Sequence, residues 1–251
     1  MSTYVYMKVL ESAPERYDRG IDRLSGGRIG GIYERIAERC RGLDVVDMAC
    51  GEGYGTAVLA RRARRVTGVD ANPEAHEHAR LKYTRPGVRF LRDMVETYSA
   101  PCDAVVFLQT IEHVQDPKAV LDHFRRMLRP GGTVYVSTPN LLTLAPPGAE
   151  KSGNPWHIRE YRAHEFRELC RQSFDHVELL GVFHARKLKA HELALTLGWD
   201  ELHKKLGITK RFYDRFVPAI KATDFRLKPQ DLDSALDFLA ICRTKELRTE
   251  N

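Results

Sequence analysis

The apolar positions of the 251-residue chain change period as the chain advances. Ile29, Ile32, Tyr33 and Ile36 recur at helical spacing and predict a helix over 29–40, stopped by Arg41-Gly42. Residues 43–48 form a short β-branched run that reads as a buried strand, 51–55 break it with glycine, and 56–65 resume as an Ala- and Leu-rich helix. Residues 66–69 read as a strand ending at Asp70, and Asn72-Pro73 opens a helix through 82 in cap-then-proline order. Strands follow at 88–91 and 103–108, then an amphipathic helix at 117–128, a turn at Pro130-Gly131-Gly132 and a strand at 133–137. Strand and helix alternating over short joints predict an α/β fold, a doubly wound and mostly parallel sheet with its functional loops at the strands' carboxyl ends.

Beyond Pro139 the pattern loosens. Residues 141–155 read as a loop rich in Pro, Gly and polar residues, 164–173 as a helix and 175–180 as a strand. From 182 to 231 the spacing is mostly helical, with Leu195, Trp199, Leu202 and Leu206 on one stripe and Phe212, Phe216 and Ile220 on another. Residues 237–242 form a last strand that returns to the sheet. The expected organisation is one domain over 1–251 with seven strands: an N-terminal helical lid (1–42), a core (43–181), a helical insertion before the last strand (182–231), and the last strand and tail (232–251).

Composition excludes several classes. The chain is 43% apolar, too high for a wholly disordered chain, and no apolar run is longer than that at 104–108, which is too short to span a bilayer. The first thirty residues lack the apolar stretch of a secretory signal, which predicts a cytoplasmic protein. Five scattered cysteines without a CxxC pair read as buried thiols rather than a disulfide or zinc framework. The net charge of +6 is local: between His184 and Lys228 eleven Lys or Arg stand against five Asp or Glu, and the other residues sum to zero.

The chemistry concentrates in Asp47-Met48-Ala49-Cys50-Gly51-Glu52-Gly53-Tyr54-Gly55. A carboxylate inside the end of a strand is followed by a turn poor in side chains, where the backbone approaches a ligand closely. The glycine spacing departs from GxGxxG, since Thr56 stands three after Gly53, and there is no GxxxxGK[ST]. An acid before the turn suits a ligand with a positive amine better than a pyrophosphate. Asp70, 23 residues past Asp47 at the next strand end, can accept both hydroxyls of a ribose.

With these residues the sequence resembles the class I S-adenosylmethionine-dependent methyltransferases, small-molecule branch, from about residue 43 to 180 and again at the last strand. The resemblance implies a Rossmann-like methyltransferase fold and S-adenosyl-L-methionine as cofactor. It implies that Asp47, Ala49, Gly51 and Gly53 hold the methionine end. Asp70 with Ala71 would hold the ribose, Asp93 and Met94 of the FLRDM segment the adenine, and Gln109 a further edge of the cofactor. Ala49 departs from the glycine usual at its position. Gln109-Thr110-Ile111-Glu112-His113-Val114 looks like the branch's "EHV" loop and Leu128–Gly132 like its "LKPGG" turn.

For attack by a hydroxyl, a base must take the proton, and histidine has a suitable pKa. His157, in Asn154-Pro155-Trp156-His157-Ile158-Arg159-Glu160-Tyr161, is the first candidate for the catalytic base and His113 the second. That segment is similar to an NPxHxREY pattern of glycan- and quinone-like small-molecule methyltransferases. Glu112, Trp156, Arg159 and Tyr161 are expected to shape the acceptor site, with Tyr17, Arg28 and Tyr33 folding over the cofactor. Glu112, His113 and Asp116 include donor types for a hard cation, but their spacing fixes no geometry, so no metal is assigned. The expected activity is O-methylation of a sugar, a quinone-like compound or another hydroxylated small molecule, with the basic insertion favouring an anionic acceptor. The alternatives are an RNA or DNA methyltransferase gripping phosphates through that insertion, disfavoured because no Asn/Asp-Pro-Pro-Tyr/Phe element follows the fourth strand, and a non-catalytic cofactor-binding subunit.

Overall fold

The computed structural model of the chain describes residues 21–146, 148–185 and 222–245. Its strands are β1 (Asp44–Met48), β2 (Arg65–Asp70), β3 (Val88–Arg92), β4 (Cys102–Leu108), β5 (Leu128–Pro139), β6 (His176–His184), β7 (Phe225–Lys228) and β8 (Asp237–Arg243). They form one sheet in the order β3-β2-β1-β4-β5-β8-β6-β7. The first five pair in parallel, β8 runs antiparallel between β5 and β6, and β7 lies antiparallel on the edge of β6. The helices are α1 (Ile21–Arg39), α2 (Tyr54–Leu59), α3 (Pro73–Tyr83), α4 (Pro117–Met127), α5 (Leu141–Leu144) and α6 (Ala163–Arg171).

The near-continuous apolar strands are explained by burial on both faces. Along β4, Val105 and Phe107 join Phe124 of α4, Phe166 of α6 and Phe238 of β8, whereas Ala104 and Val106 join Ile32 and Ile36 of α1 and Leu59 of α2. All five cysteines are buried and unpaired. Among the described residues no helix is long and apolar enough to cross a membrane.

Four local differences from the sequence reading have physical causes. The sheet has eight strands instead of seven, because part of the segment expected to be helical pairs with itself: β6 continues to His184 and is matched by β7, from Gly181↔Lys228 to His184↔Phe225. Residues 179–183 are buried without a break and Phe225 is buried beside exposed Arg226, short strand signals that the helical stripes between them in the sequence outweigh. The predicted stripes from Leu195 to Ile220 lie outside the described residues, as does Tyr17. Helix α2 stops at Leu59, since the amides of Arg64 and Arg65 turn back to the carbonyl of Leu43 at 2.9 and 3.4 Å. Pro130-Gly131-Gly132 is a bulge inside β5, where the register moves from Cys102↔Leu128 to Ala104↔Thr133 and Gly131 takes φ +77°. In the expected loop after Pro139, Asn140 starts the short helix α5 by accepting the Leu142 amide at 3.1 Å.

The amino ends of the strands are pinned by Asp44. Its carboxylate accepts from Arg65 at 2.6 Å and from Arg64 at 2.9 Å, while its amide donates to Asp103 at 2.8 Å. Arg65, and then Arg64, hold the Asp44 carboxyl well below the usual carboxylate range. A folded pKa below the unfolded one contributes stability that is present above about pH 4 and lost as the pH falls through the folded value. Asp44→Asn is expected to lower the unfolding free energy by about 1 kcal/mol at neutral pH, discounted because both arginines are largely exposed. The gap to wild type should narrow progressively as urea melts are run from about pH 4 downwards, closing only below the folded value.

Candidate active site

Asp47, the fourth residue of β1, is completely buried beneath the glycine loop. Thr56 of α2 donates to one carboxylate oxygen at 2.6 Å and the hydroxyl of Tyr33 in α1 to the other at 3.0 Å. Burial pushes its pKa up to about 7, against the opposing pull of those two bonds. Tyr33, expected to cover the cofactor, thus reaches the site from a helix whose Ile32 and Ile36 are sealed into the core. Asp70 at the end of β2 accepts the amides of Gly51 at 2.7 Å and Asn72 at 2.9 Å, and burial raises its pKa. The acid expected to face a ribose therefore also fastens the glycine loop to the neighbouring strand.

The loop is tight beneath and open above. A Cβ on Gly53, at φ +83°, would lie 2.8 Å from Ala79 and Phe90. A Cβ on Gly51, at φ +53°, would meet nothing within 4 Å. Ala49 also takes φ +53°, so the departure noted in the sequence falls where a side chain is strained. Gln109 at the end of β4 has the same φ, and its amide and side chain both bond Ser137 of β5. Ala71 follows Asp70 half-buried. Asp93 spends one oxygen on capping a turn, accepting from the Met94 amide at 2.8 Å and the Thr97 hydroxyl at 2.6 Å.

The second part of the site forms where the loop after β5 returns over β4. The Glu112 carbonyl accepts the amides of Ile158 at 2.9 Å and Arg159 at 3.2 Å. That pair of bonds brings His157 to His113, with ring centroids 5.0 Å apart and edge to face. His113 donates its Nδ1–H to the Trp156 carbonyl at 2.8 Å, and burial lowers its pKa. Nδ1 of His157 lies 2.7 Å from the Glu160 carboxylate, which the amide and hydroxyl of Ser152 also bind. Burial tends to raise Glu160, but its bonds to Ser152 and His157 win and hold it below the usual range. Glu112 is buried, accepts from Thr138 at 3.1 Å, and is pushed up to about 8 by desolvation.

The expected acceptor-site residues divide. Glu112 belongs to the cluster, and half-buried Trp156 joins it through its backbone carbonyl. Arg159 is exposed, with its amide on Glu112. Tyr161 is not at the mouth: a bridge to Asn140 draws it into the core against Phe166, where burial pushes its pKa up to about 12. Asp116 caps α4 by accepting the Ala119 amide at 2.9 Å, so it is not a third member beside Glu112 and His113; His157 takes that place. Sequence reasoning missed Glu160, whose signal is its place three residues after His157. It also missed Asp237, a fully buried acid at the start of β8 that Arg28 of α1 approaches to 2.8 Å. Burial pushes Asp237 up to about 6, with Arg28 opposing.

Comparison with known proteins identifies the family and the fold. A family model described as a methyltransferase domain matches residues 9–193. A protein of Mycolicibacterium smegmatis named "Probable S-adenosylmethionine-dependent methyltransferase" is 36% identical over 220 residues, spanning 84% of this chain and 85% of its own. A ubiquinone biosynthesis O-methyltransferase of Xylella fastidiosa is 33% identical over 147 residues, 55% of this chain and 59% of its own. The crystal structure of a SAM-dependent methyltransferase from Thermotoga maritima shares the fold with a TM-score of 0.62 at 16% identity, covering 98% of this chain and 100% of that one.

Ala49→Gly is expected to stabilise the protein by about 1 kcal/mol, because glycine adopts φ +53° without the Cβ strain. Denaturant midpoints of the variant and wild type check this; an unchanged or lower midpoint would show that the methyl's packing outweighs the strain.

Proposed function

The chain belongs to the S-adenosylmethionine-dependent methyltransferases and uses that cofactor, and on this premise we propose that it methylates oxygen on a hydroxylated small molecule at the Glu112–His113–His157 cluster. The residues present fit the cofactor. The open space over Gly51 and the tight packing under Gly53 make a cradle with room for a ligand, and Asp47 and Asp70 stand at adjacent strand ends beside it. Asp47 would receive the amine of the methionine end and Asp70 the ribose hydroxyls. The Oδ2 of Asp93, which takes no hydrogen bond among the described residues, is left to meet an adenine amine beside Met94. When bound, the cofactor supplies an electrophilic methyl carbon on a sulfonium, which leaves as a neutral thioether when the new C–O bond forms.

The observation that carries the O-methylation reading is the orientation of the two imidazoles. Each engages its Nδ1, His113 with a carbonyl and His157 with a carboxylate, so each neutral ring keeps its lone pair on Nε2. Two acceptor nitrogens, held by bonds on their far sides, suit removal of a hydroxyl proton as the oxygen attacks. The relationship to the ubiquinone biosynthesis O-methyltransferase of Xylella fastidiosa supports the same atom class. The described wall of the cluster is acidic, with Glu112, Glu160 and Asp237 around it, so we take the acceptor to be a neutral polyol or phenol rather than an anion.

Two outcomes test the assignment. With labelled cofactor and a panel of phenols, sugars and bulk tRNA, the wild type is expected to methylate a hydroxyl compound. His157→Ala should lower turnover by roughly a hundredfold or more while leaving S-adenosylhomocysteine affinity unchanged. Methyl transfer to RNA alone would overturn the reading. Cofactor affinity should also depend on pH. Ionising Asp47, whose pKa stands at about 7, is required to receive the amine, so binding releases a proton and the affinity rises with pH up to about 7, then levels. Calorimetry across pH 5.5–8.5 checks the slope, which Asp47→Asn should abolish.

A further inference from the structure

We propose that Glu112, His113 and His157 form a three-ligand site for a divalent transition-metal cation, which binds the acceptor through two adjacent hydroxyls; the acceptor part of this inference rests on the O-methylation reading above. A carboxylate oxygen and a nitrogen of each ring lie within 4.8 Å of one another. Metal bonds of about 2.0–2.2 Å would draw such donors together by rotamer shifts of about 1 Å.

The surroundings of the three donors point to a cation more specifically than their closeness does. Metal-bound histidines characteristically donate the other ring N–H to a carbonyl or carboxylate, which fixes the tautomer and aims the free nitrogen. Both patterns are present here side by side: His113 to the Trp156 carbonyl at 2.8 Å, and His157 to Glu160 at 2.7 Å. Glu160 is itself held by Ser152 through both its amide and its hydroxyl, so the ring behind it is braced. Glu112 is anchored by Thr138, which donates to one carboxylate oxygen at 3.1 Å. The buried Glu112 carboxyl stands beside the two rings with no Lys or Arg hydrogen-bonded to it among the described residues, and a cation supplies the positive partner.

The donor set selects the ion. Two imidazoles and one carboxylate suit Zn²⁺, Mn²⁺, Fe²⁺ or Co²⁺, whereas Mg²⁺ and Ca²⁺ favour all-oxygen shells. Three protein ligands leave positions open, as catalytic rather than structural sites do. Two vicinal hydroxyls chelate such positions as a pair, so the site favours a catechol-like or 1,2-diol acceptor over an isolated hydroxyl. The cation lowers the pKa of one hydroxyl, whose proton passes to solvent. That oxygen then forms the C–O bond as the sulfonium S–CH3 bond breaks, its electron pair staying on sulfur. The imidazoles in this arrangement hold the ion, so the proton assigned above to Nε2 goes to solvent instead.

The test titrates chelator-treated protein with Co²⁺ and follows its visible absorption, with Zn²⁺ competition and Mg²⁺ as the contrasting ion. The expected result is one equivalent bound and displaced by Zn²⁺, with Mg²⁺ at least tenfold weaker. His113→Ala, His157→Ala and Glu112→Gln should each weaken Co²⁺ binding by more than tenfold, and Glu160→Gln by about tenfold through loss of the brace. Unchanged S-adenosylhomocysteine affinity shows that each variant is folded. No stoichiometric Co²⁺, or equal binding by wild type and all three ligand variants, overturns the site. Methylation of a catechol that survives complete chelation sinks the metal and leaves the O-methylation reading. Stoichiometric metal without methylation of any hydroxyl compound keeps the site and sinks that reading along with the diol acceptor.

Discussion

Burying carboxyl groups at the carboxyl ends of the strands is the constraint on which the rest of the architecture depends. Asp47, Asp70, Glu112 and Asp237 are each at most 2% exposed, and a buried carboxyl is costly unless donors reach it. The donors come from different parts of the chain. Asp47 takes Tyr33 from α1 and Thr56 from α2, Asp70 takes the glycine loop and the Asn72 amide, and Glu112 takes Thr138 from β5, whereas Asp237 has the ion-pair approach of Arg28 from α1 without a hydrogen bond to either oxygen among the described residues. Partnering these acids, three by hydrogen bonds and one by an ion pair, therefore ties helix α1, both early loops and the last strand to one end of the sheet. The same end is the place where open α/β sheets bind ligands.

This explains why the raised pKa values at the site should be read together. Burial pushes Asp47 up to about 7 and Glu112 to about 8, so neither is fully ionised near neutrality without a cationic partner. A groove floor that resists negative charge by desolvation alone is poised to accept positive ligands, because each arriving charge restores the ionised form. The cofactor proposed above, with its positive amine beside Asp47, is such a ligand.

Much of the fold was legible because two-sided burial writes long apolar runs. The residues 104–108 run, the Asn72-Pro73 helix start and the Asp47-to-Gly55 turn each point to one structure, and each is found. What was not legible depends on contacts between distant segments. The β6–β7 hairpin is short and lies either side of residues 186–221, so helical spacing dominates that window. Tyr161 and Arg159 look alike as mouth residues, yet the Asn140 bridge buries one and leaves the other exposed. In the site, His113 and His157 were both visible as candidates, but their meeting depends on two amides donating to the Glu112 carbonyl, which no spacing rule announces. Asp116 illustrates the converse: close in sequence to Glu112 and His113, it is committed to capping α4.

Charge distribution bears on the acceptor in the same way. The net +6 is concentrated between His184 and Lys228, and of those bases only Arg226 and Lys228 fall among the described residues, on the edge strand β7. The cluster where a hydroxyl would be activated is walled instead by Glu112, Glu160 and Asp237, with Asp237 opposed by Arg28. An anion placed there would meet desolvated carboxyls at short range, where a low effective dielectric makes like charges strongly unfavourable. A neutral diol meets acceptors it can donate to, and its own oxygens remain free for a cation. The overall basicity that suggests an anionic partner thus says little about the acceptor. Under the proposed reading, the local carboxyl groups, being nearer and drier, favour a neutral hydroxyl donor over an anion.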